Sequence, residues 1–105
     1  MPAPPCRPPD VVTRRRRLRD WLDRHGDQLD PDHEPPSMFE LAPWLLVQRN
    51  VWGHQYRAST HATPAQAAVA YQAQQYPEDW RIVELLNLDT GRRLTAVDAI
   101  RWRVA

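Results

Sequence analysis

Apolar positions recur along this chain at two different spacings, and each change of spacing marks the boundary of an element. Over residues 10–25, Val11, Leu18, Leu22 and His25 share one side of a helical repeat, with Trp21 beside them. Arginines and aspartates fill the other positions. The pattern predicts a one-sided amphipathic helix, capped by Asp10 or Thr13 and ended by Gly26. From Trp44 the spacing changes to alternation. Trp44, Leu46 and Gln48 fall on one side and Leu45, Val47 and Arg49 on the other, which predicts a strand over 44–49. Asn50-Val51-Trp52-Gly53 reads as a turn, and a second strand follows over 54–60. Tyr56, Ala58 and Thr60 take one face of it; Gln55, Arg57 and Ser59 make the other polar, so an edge position is expected.

Helical spacing returns at Thr63-Pro64-Ala65-Gln66, where a capping hydroxyl precedes a proline at the first helical position. The alanine-rich body has Ala65, Ala68, Val69 and Gln72 on one face, small enough to lie close against a sheet. Pro77 ends it. Residues 80–88 form the third predicted strand, with Trp80, Ile82, Leu86 and Leu88 on one face around Glu84 and Arg81, Val83, Leu85 and Asn87 on the other. Leu88-Asp89-Thr90-Gly91 is a second turn, and 92–96 a fourth strand. Over 97–104 two readings compete. Ile100, Trp102 and Val104 alternate as in a strand, while Val97, Ile100 and Val104 also fit a helix capped by Thr95; strand is preferred.

The expected fold is therefore α+β: a small antiparallel sheet of two hairpins joined by one crossing helix (ββαββ), preceded by the N-terminal amphipathic helix. The chain divides into a proline-rich tail (1–9), that helix (10–26), an acidic proline-rich linker (27–43) and the ββαββ domain (44–105). Within the linker, 37–42 has room for one helical turn before Pro43. Gly53 and Gly91 are expected at positive φ, where each closes its turn. The third strand is apolar on both faces and needs cover on both. The second helix supplies one cover. The other falls to Leu18, Trp21 and Leu22 of the N-terminal helix, or to a second copy or partner protein. The linker reaches roughly 50 Å if extended, so the intramolecular arrangement is within range. A helix held by three large side chains could then be displaced by a partner.

Composition narrows the function classes. The 105 residues carry a net charge of +1, too little for an overall field that attracts nucleic acid or membrane. All 14 basic residues are arginine, so every basic contact is a planar fork. The single cysteine, Cys6, allows neither an internal disulfide nor a cysteine-based metal site. No apolar run has transmembrane length and no signal-peptide core is present, so a cytoplasmic protein is expected.

Candidate chemistry is sparse. Arg14, Arg15, Arg16, Arg17 and Arg19 crowd the first turns of the N-terminal helix, where cations oppose the helix dipole and a phosphate would relieve them. They are the candidate nucleic-acid contacts. Read as a solvated face, they contribute little to stability. Asp30, Asp32, His33 and Glu34 are metal-ligand types, but prolines hold them extended and apart. His54 and His61 fall on opposite faces. Glu84 is expected to pair with an arginine such as Arg93. Neither a phosphate-binding loop nor a nucleophile with its base is present, so no catalytic residue, cofactor, metal or small-molecule substrate is assigned.

The stretches His61-Ala62-Thr63-Pro64-Ala65-Gln66-Ala67-Ala68, Pro77-Glu78-Asp79-Trp80 and Asn87-Leu88-Asp89-Thr90-Gly91 resemble parts of short uncharacterised proteins from GC-rich bacteria and their phages. The likeness covers residues 44–96 and implies no activity. The expectation is a small non-enzymatic protein-interaction module, of the accessory or regulatory kind found in a phage or mobile element. Its candidate contacts are Trp52, Trp21, Leu18 and Leu22, and its partner is another protein or a second copy. Trp52, at a turn, either meets that partner or folds back on its own core. The alternative is a nucleic-acid-binding protein using Arg14 to Arg19.

Overall fold

Over residues 11–95, the part of the chain described by the computed structural model, two helices and a four-stranded antiparallel sheet form. The expectations for the tail at 1–9, for a cap at Asp10 and for 96–105 fall outside the described residues. The elements are α1 (Val11–His25), β1 (Trp44–Asn50), β2 (Tyr56–His61), α2 (Pro64–Ala73), β3 (Trp80–Asn87) and β4 (Arg93–Thr95). Short 3-10 turns, Gly26–Gln28 and Pro77–Asp79, follow α1 and precede β3. Across the sheet the strands run β2-β1-β3-β4. β2 and β3 are both antiparallel to β1, hence parallel to each other, and α2 makes the crossover between them. β2 is at an edge.

Each face of the sheet has its own core. On one, Leu18 and Trp21 of α1 pack against Leu45, Val47, Ala58, Leu86 and Leu88, all buried. On the other, Ala67 and Ala68 of α2 pack against Leu46 and Leu85. Both covers are thus intramolecular. Segment 27–43 contributes to the first core through Leu29, Met38 and Leu41. It is stitched to the sheet where the Asp30 N–H donates to the Tyr56 carbonyl (2.8 Å) and the Leu88 N–H to that of Pro43 (2.7 Å). No helical turn forms over 37–42; the chain bends there instead, with the Phe39 N–H donating to the Ser37 hydroxyl.

α2 begins where its signals place it. The Thr63 hydroxyl accepts from the Gln66 N–H at 3.1 Å and Pro64 occupies the first turn. Its buried face differs from the expected one. Ala67, Ala68 and Tyr71 face the sheet, whereas Ala65 and Val69 are exposed. Tyr71 fixes this rotation, because its hydroxyl donates to the Trp80 carbonyl at 2.6 Å and lies 3.0 Å from that of Pro77. A phenol buried at a helix–strand junction needs such a partner. The chain leaves α2 through Tyr76, which sits in the left-handed region at φ 58°, unusual for a residue with a side chain.

β3 also departs from simple alternation. Val47 pairs with Glu84 but Gln48 pairs with Ile82, so Val83 is an extra residue without a partner in β1. This is a β-bulge. One inserted residue reverses the phase, so Trp80 and Ile82 share the α2 face with Leu85, and only Leu86 and Leu88 remain on the α1 face. The expected set Trp80, Ile82, Leu86 and Leu88 is therefore split between two cores.

The two turns use their glycines differently. Gly91 has φ +80°, and its N–H donates to the Asn87 carbonyl at 2.7 Å. Gly53 is not in the positive-φ region, although the first hairpin closes over the same span: the Asn50 N–H donates to the Gln55 carbonyl at 2.9 Å, as the Asn87 N–H does to that of Arg92 at 2.7 Å. A methyl group at Gly91 would also lie 3.3 Å from Arg17 Nε, whereas nothing lies within 4 Å of one at Gly53. Gly91→Ala is expected to lower the unfolding free energy by about 1 kcal/mol or more, and Gly53→Ala by less than about 0.5 kcal/mol. Urea titrations of both variants check this; equal losses would contradict the turn geometry.

Candidate functional site

The N-terminal arginines do structural work. Arg14 forms a fork on Asp89, with Nε to Oδ1 at 2.8 Å and Nη2 to Oδ2 at 2.9 Å, and also donates to the Leu41 carbonyl. Arg15 donates to the Met38 carbonyl (2.8 Å) and Arg17 to that of Leu88 (2.8 Å). Three of the five candidate nucleic-acid contacts thereby bind α1 to segment 27–43 and to the β3–β4 turn. The expectation of a solvated run is corrected: docking turns these side chains toward carbonyl groups that loops leave free. Arg16 and Arg19 are exposed. No ion pair joins Arg16 to Asp20 or Arg19 to Asp23.

Of the four candidate protein contacts, Leu18 and Trp21 are fully buried beneath α1, and Leu22 packs against the same core. Trp21 meets the Tyr56 ring edge-on at 6.3 Å and the tilted His25 ring at 4.7 Å. None of the three forms a free surface. Trp52 is the opposite case, at 83% exposed. It does not fold back on the core.

Trp52 is nonetheless held in place. Its backbone N–H donates to Asn50 Oδ1 at 2.7 Å and its indole N–H to Asp79 Oδ1 at 3.1 Å. Val51 adds a backbone bond to the Asp79 carbonyl at 2.9 Å. The tip of the β1–β2 hairpin is thus strapped to the 3-10 turn before β3. Side chain Asp79 serves the indole while its backbone serves the hairpin.

Two depressions flank the tip. One, of about 350 Å3, is polar, lined in part by Asp30, Asp32, Asn50, Arg57, Asp79 and Trp80. Its floor is a stacked arrangement. The Arg57 guanidinium lies 3.9 Å from the Trp80 ring centroid and donates from Nε to Asp30 Oδ2 at 2.9 Å. Burial pushes the Asp30 carboxyl up, but the Asp32 N–H at 3.0 Å and the Arg57 guanidinium outweigh it and hold the group below its ordinary value. His33, close by, is pushed down by burial and by Arg57. Asp30 is therefore a fixed anion already matched by a cation, which makes this depression an ion-paired support for the hairpin. The other depression, of about 380 Å3, lies between Arg49 and His54 on the β1–β2 side and Arg81, Ile82 and Val83 on β3.

Elsewhere, Glu84 lies 3.6 Å from Arg93 as an ion pair. His61 bonds to the Ser59 hydroxyl at 2.8 Å, and burial pushes its imidazole down. Among the described residues no group of three or more histidine, cysteine, aspartate or glutamate side chains is placed to hold a metal, and no helix is long and apolar enough to cross a membrane.

The Arg57–Asp30 pair and the Arg49–Arg81 neighbours were not legible as sites. A partial signal existed for the second. If 44–49 and 80–88 are adjacent antiparallel strands, the arginine ending one and the arginine beginning the other fall at the same end of the sheet. Comparison of the chain with models of known protein families, with curated proteins and with solved structures finds no match.

Proposed function

We propose that this protein is a small non-enzymatic protein-interaction module that engages another protein, or a second copy of itself, through the β1–β2 hairpin tip. The observation that carries the reading is Trp52: a large aromatic at 83% exposure, yet pinned by its indole and by its backbone. Leaving such a ring in water is unfavourable, and fixing it beforehand removes part of the ordering cost of binding. Rigid, exposed tryptophans are the side chains that dominate binding energy at protein interfaces. The role that goes with this reading is that of an accessory or regulatory protein of a phage or mobile element.

Displacement of α1 as a lid is not part of this reading. Arg14, Arg15 and Arg17 hold the helix in addition to Leu18, Trp21 and Leu22. In the alternative of nucleic-acid contact through the same helix, only Arg16 and Arg19 of the five candidate arginines are exposed.

Trp52→Ala tests the proposal. The immobilised chain is exposed to a lysate of its source cell beside that variant and Val69→Ala, which alters an apolar side chain exposed elsewhere, at 68%. A protein retained by the wild type and by Val69→Ala, and lost with Trp52→Ala, is the expected result. Sedimentation of the purified chain separates a second copy from a different partner. Retention unchanged by Trp52→Ala, together with unchanged sedimentation, would overturn the reading.

A further inference from the structure

α1 leaves part of its own face of the sheet uncovered. It packs over Leu45, Val47, Leu86 and Leu88 and ends with His25 against Tyr56. Beyond Val47 the same face carries Arg49 on β1 and Arg81 on β3, which are direct cross-strand partners. Both are exposed. Like charges placed opposite each other in an antiparallel pair are destabilising.

This juxtaposition is a product of the bulge. In an uninterrupted register Arg49 would oppose Ile82, and Arg81 would fall on the α2 face. The extra residue Val83 turns Arg81 onto the face of Arg49. Bulges commonly re-aim a side chain beside a functional site.

The nearby acids do not neutralise the pair. Glu84 faces Arg93, Asp79 accepts from the Trp52 indole, and Asp30 accepts from Arg57. Among the described residues, Arg49 contacts only the His54 Nδ1, not a carboxylate. Arg81 has no hydrogen bond or ion pair among the described residues. Between the two guanidinium groups lies the depression of about 380 Å3, with Val51 and Val83, each 40% exposed, along its sides.

We propose that this trough takes an acidic peptide segment of the binding partner. One or two carboxylates are received by the forks of Arg49 and Arg81, and a neighbouring aliphatic side chain rests on Val51 and Val83. The inference rests on the interaction reading above and names the chemistry of the partner. Forked guanidinium groups match carboxylates in two parallel hydrogen bonds. A short acidic peptide fits better than a nucleic acid, because a continuous phosphate backbone leaving the trough across the hairpin tip would meet Asp79 and Asp32 on the far side. Exposed valines also suit a peptide side chain and offer nothing to a phosphate.

The full chain, labelled with nitrogen-15, is titrated with an acetylated hexapeptide alternating glutamate and leucine. The same peptide with glutamine for glutamate, and a hexathymidine strand, serve as controls. The expected result is amide shifts centred on Arg49, Val51, Arg81 and Val83, with affinity for the acidic peptide reduced about tenfold or more in Arg81→Gln. Equal binding of the glutamine peptide, or unchanged affinity in Arg81→Gln, overturns the proposal. Tighter binding of hexathymidine at the same residues overturns it in favour of a phosphate ligand. Partner capture that survives Arg81→Gln but is lost in Trp52→Ala leaves the interaction reading standing and removes this one alone.

Discussion

Trp21→Ala is expected to cost about 3–5 kcal/mol, a large share of the roughly 5–15 kcal/mol that holds a domain of this size folded. The side chain is 1% exposed and is the largest of the fully buried group. It is surrounded on several sides: by Tyr56 and His25 through ring contacts, and by the β1 and β3 side chains beneath α1. α1 is a single helix lying over this face, so the space left by an indole closes only if the whole helix shifts. The Arg14 fork and the Arg17 hydrogen bond to the β3–β4 turn resist that shift. Residual cavity volume therefore remains, which places the cost at the upper part of the usual range. Thermal and urea unfolding measure it, with Trp52→Ala as the matched control because that ring lies outside both cores. A Trp21→Ala protein within about 1 kcal/mol of wild type would mean that α1 does not dock as described.

Arg14→Gln is expected to cost about 2–3 kcal/mol, far more than an exposed arginine warrants. The Arg14 side chain is 13% exposed and Asp89 is 21% exposed, so solvent screens the pair only in part. The burial and geometry place it between a surface pair and a fully buried one. Removing the cation leaves the Asp89 carboxylate without its fork and the Leu41 carbonyl without a donor. Arg14→Lys recovers only part of the loss, because an ammonium cannot form two parallel bonds to one carboxylate. Arg16→Gln, at an exposed position one residue away from Arg17, changes stability by less than about 0.5 kcal/mol. A double-mutant cycle of Arg14→Gln with Asp89→Asn isolates the pairwise part. Were Arg14→Gln no more harmful than Arg16→Gln, the fork would carry no weight in solution.

The contrast between these two arginines explains how much of the molecule could be read beforehand. Elements that depend on local rules were legible: the Thr63 cap, the two hairpins and the polar face of β2, whereas α2 stops at Ala73, before Pro77 is reached. The need for cover on both sheet faces was also legible, because residues 80–88 are apolar in both phases. What escaped reading depends on where distant segments meet. Arg14 and Arg16 are indistinguishable in a run of arginines until Asp89 and the Leu41 carbonyl arrive beside one of them. The bulge at Val83 hid behind a run that alternates well enough on paper. Its only trace is two adjacent apolar pairs, Ile82-Val83 and Leu85-Leu86, which strict alternation does not explain. Without the bulge the Arg49–Arg81 trough could not be anticipated. Leu18 and Trp21, read as either core or contact surface, became core once α1 found its sheet, and Trp52 alone among the four candidates stayed in solvent.

The fork between Arg14 and Asp89 joins residues 75 positions apart, and the sheet face beneath α1 is completed only by Leu86 and Leu88. During synthesis at about 5–20 residues per second, the first helix therefore leaves the ribosome roughly 4–15 seconds before its anchor exists. In that interval Leu18, Trp21 and Leu22 have no docking site, and a short isolated helix is only marginally stable. Two guanidinium groups of the arginine run, those of Arg14 and Arg17, become clamps when the β3–β4 turn appears. Docking of α1 consequently waits for the β3–β4 turn, so a ribosome stalled before Asp89 would hold a polypeptide in which the Trp21 indole is still in water.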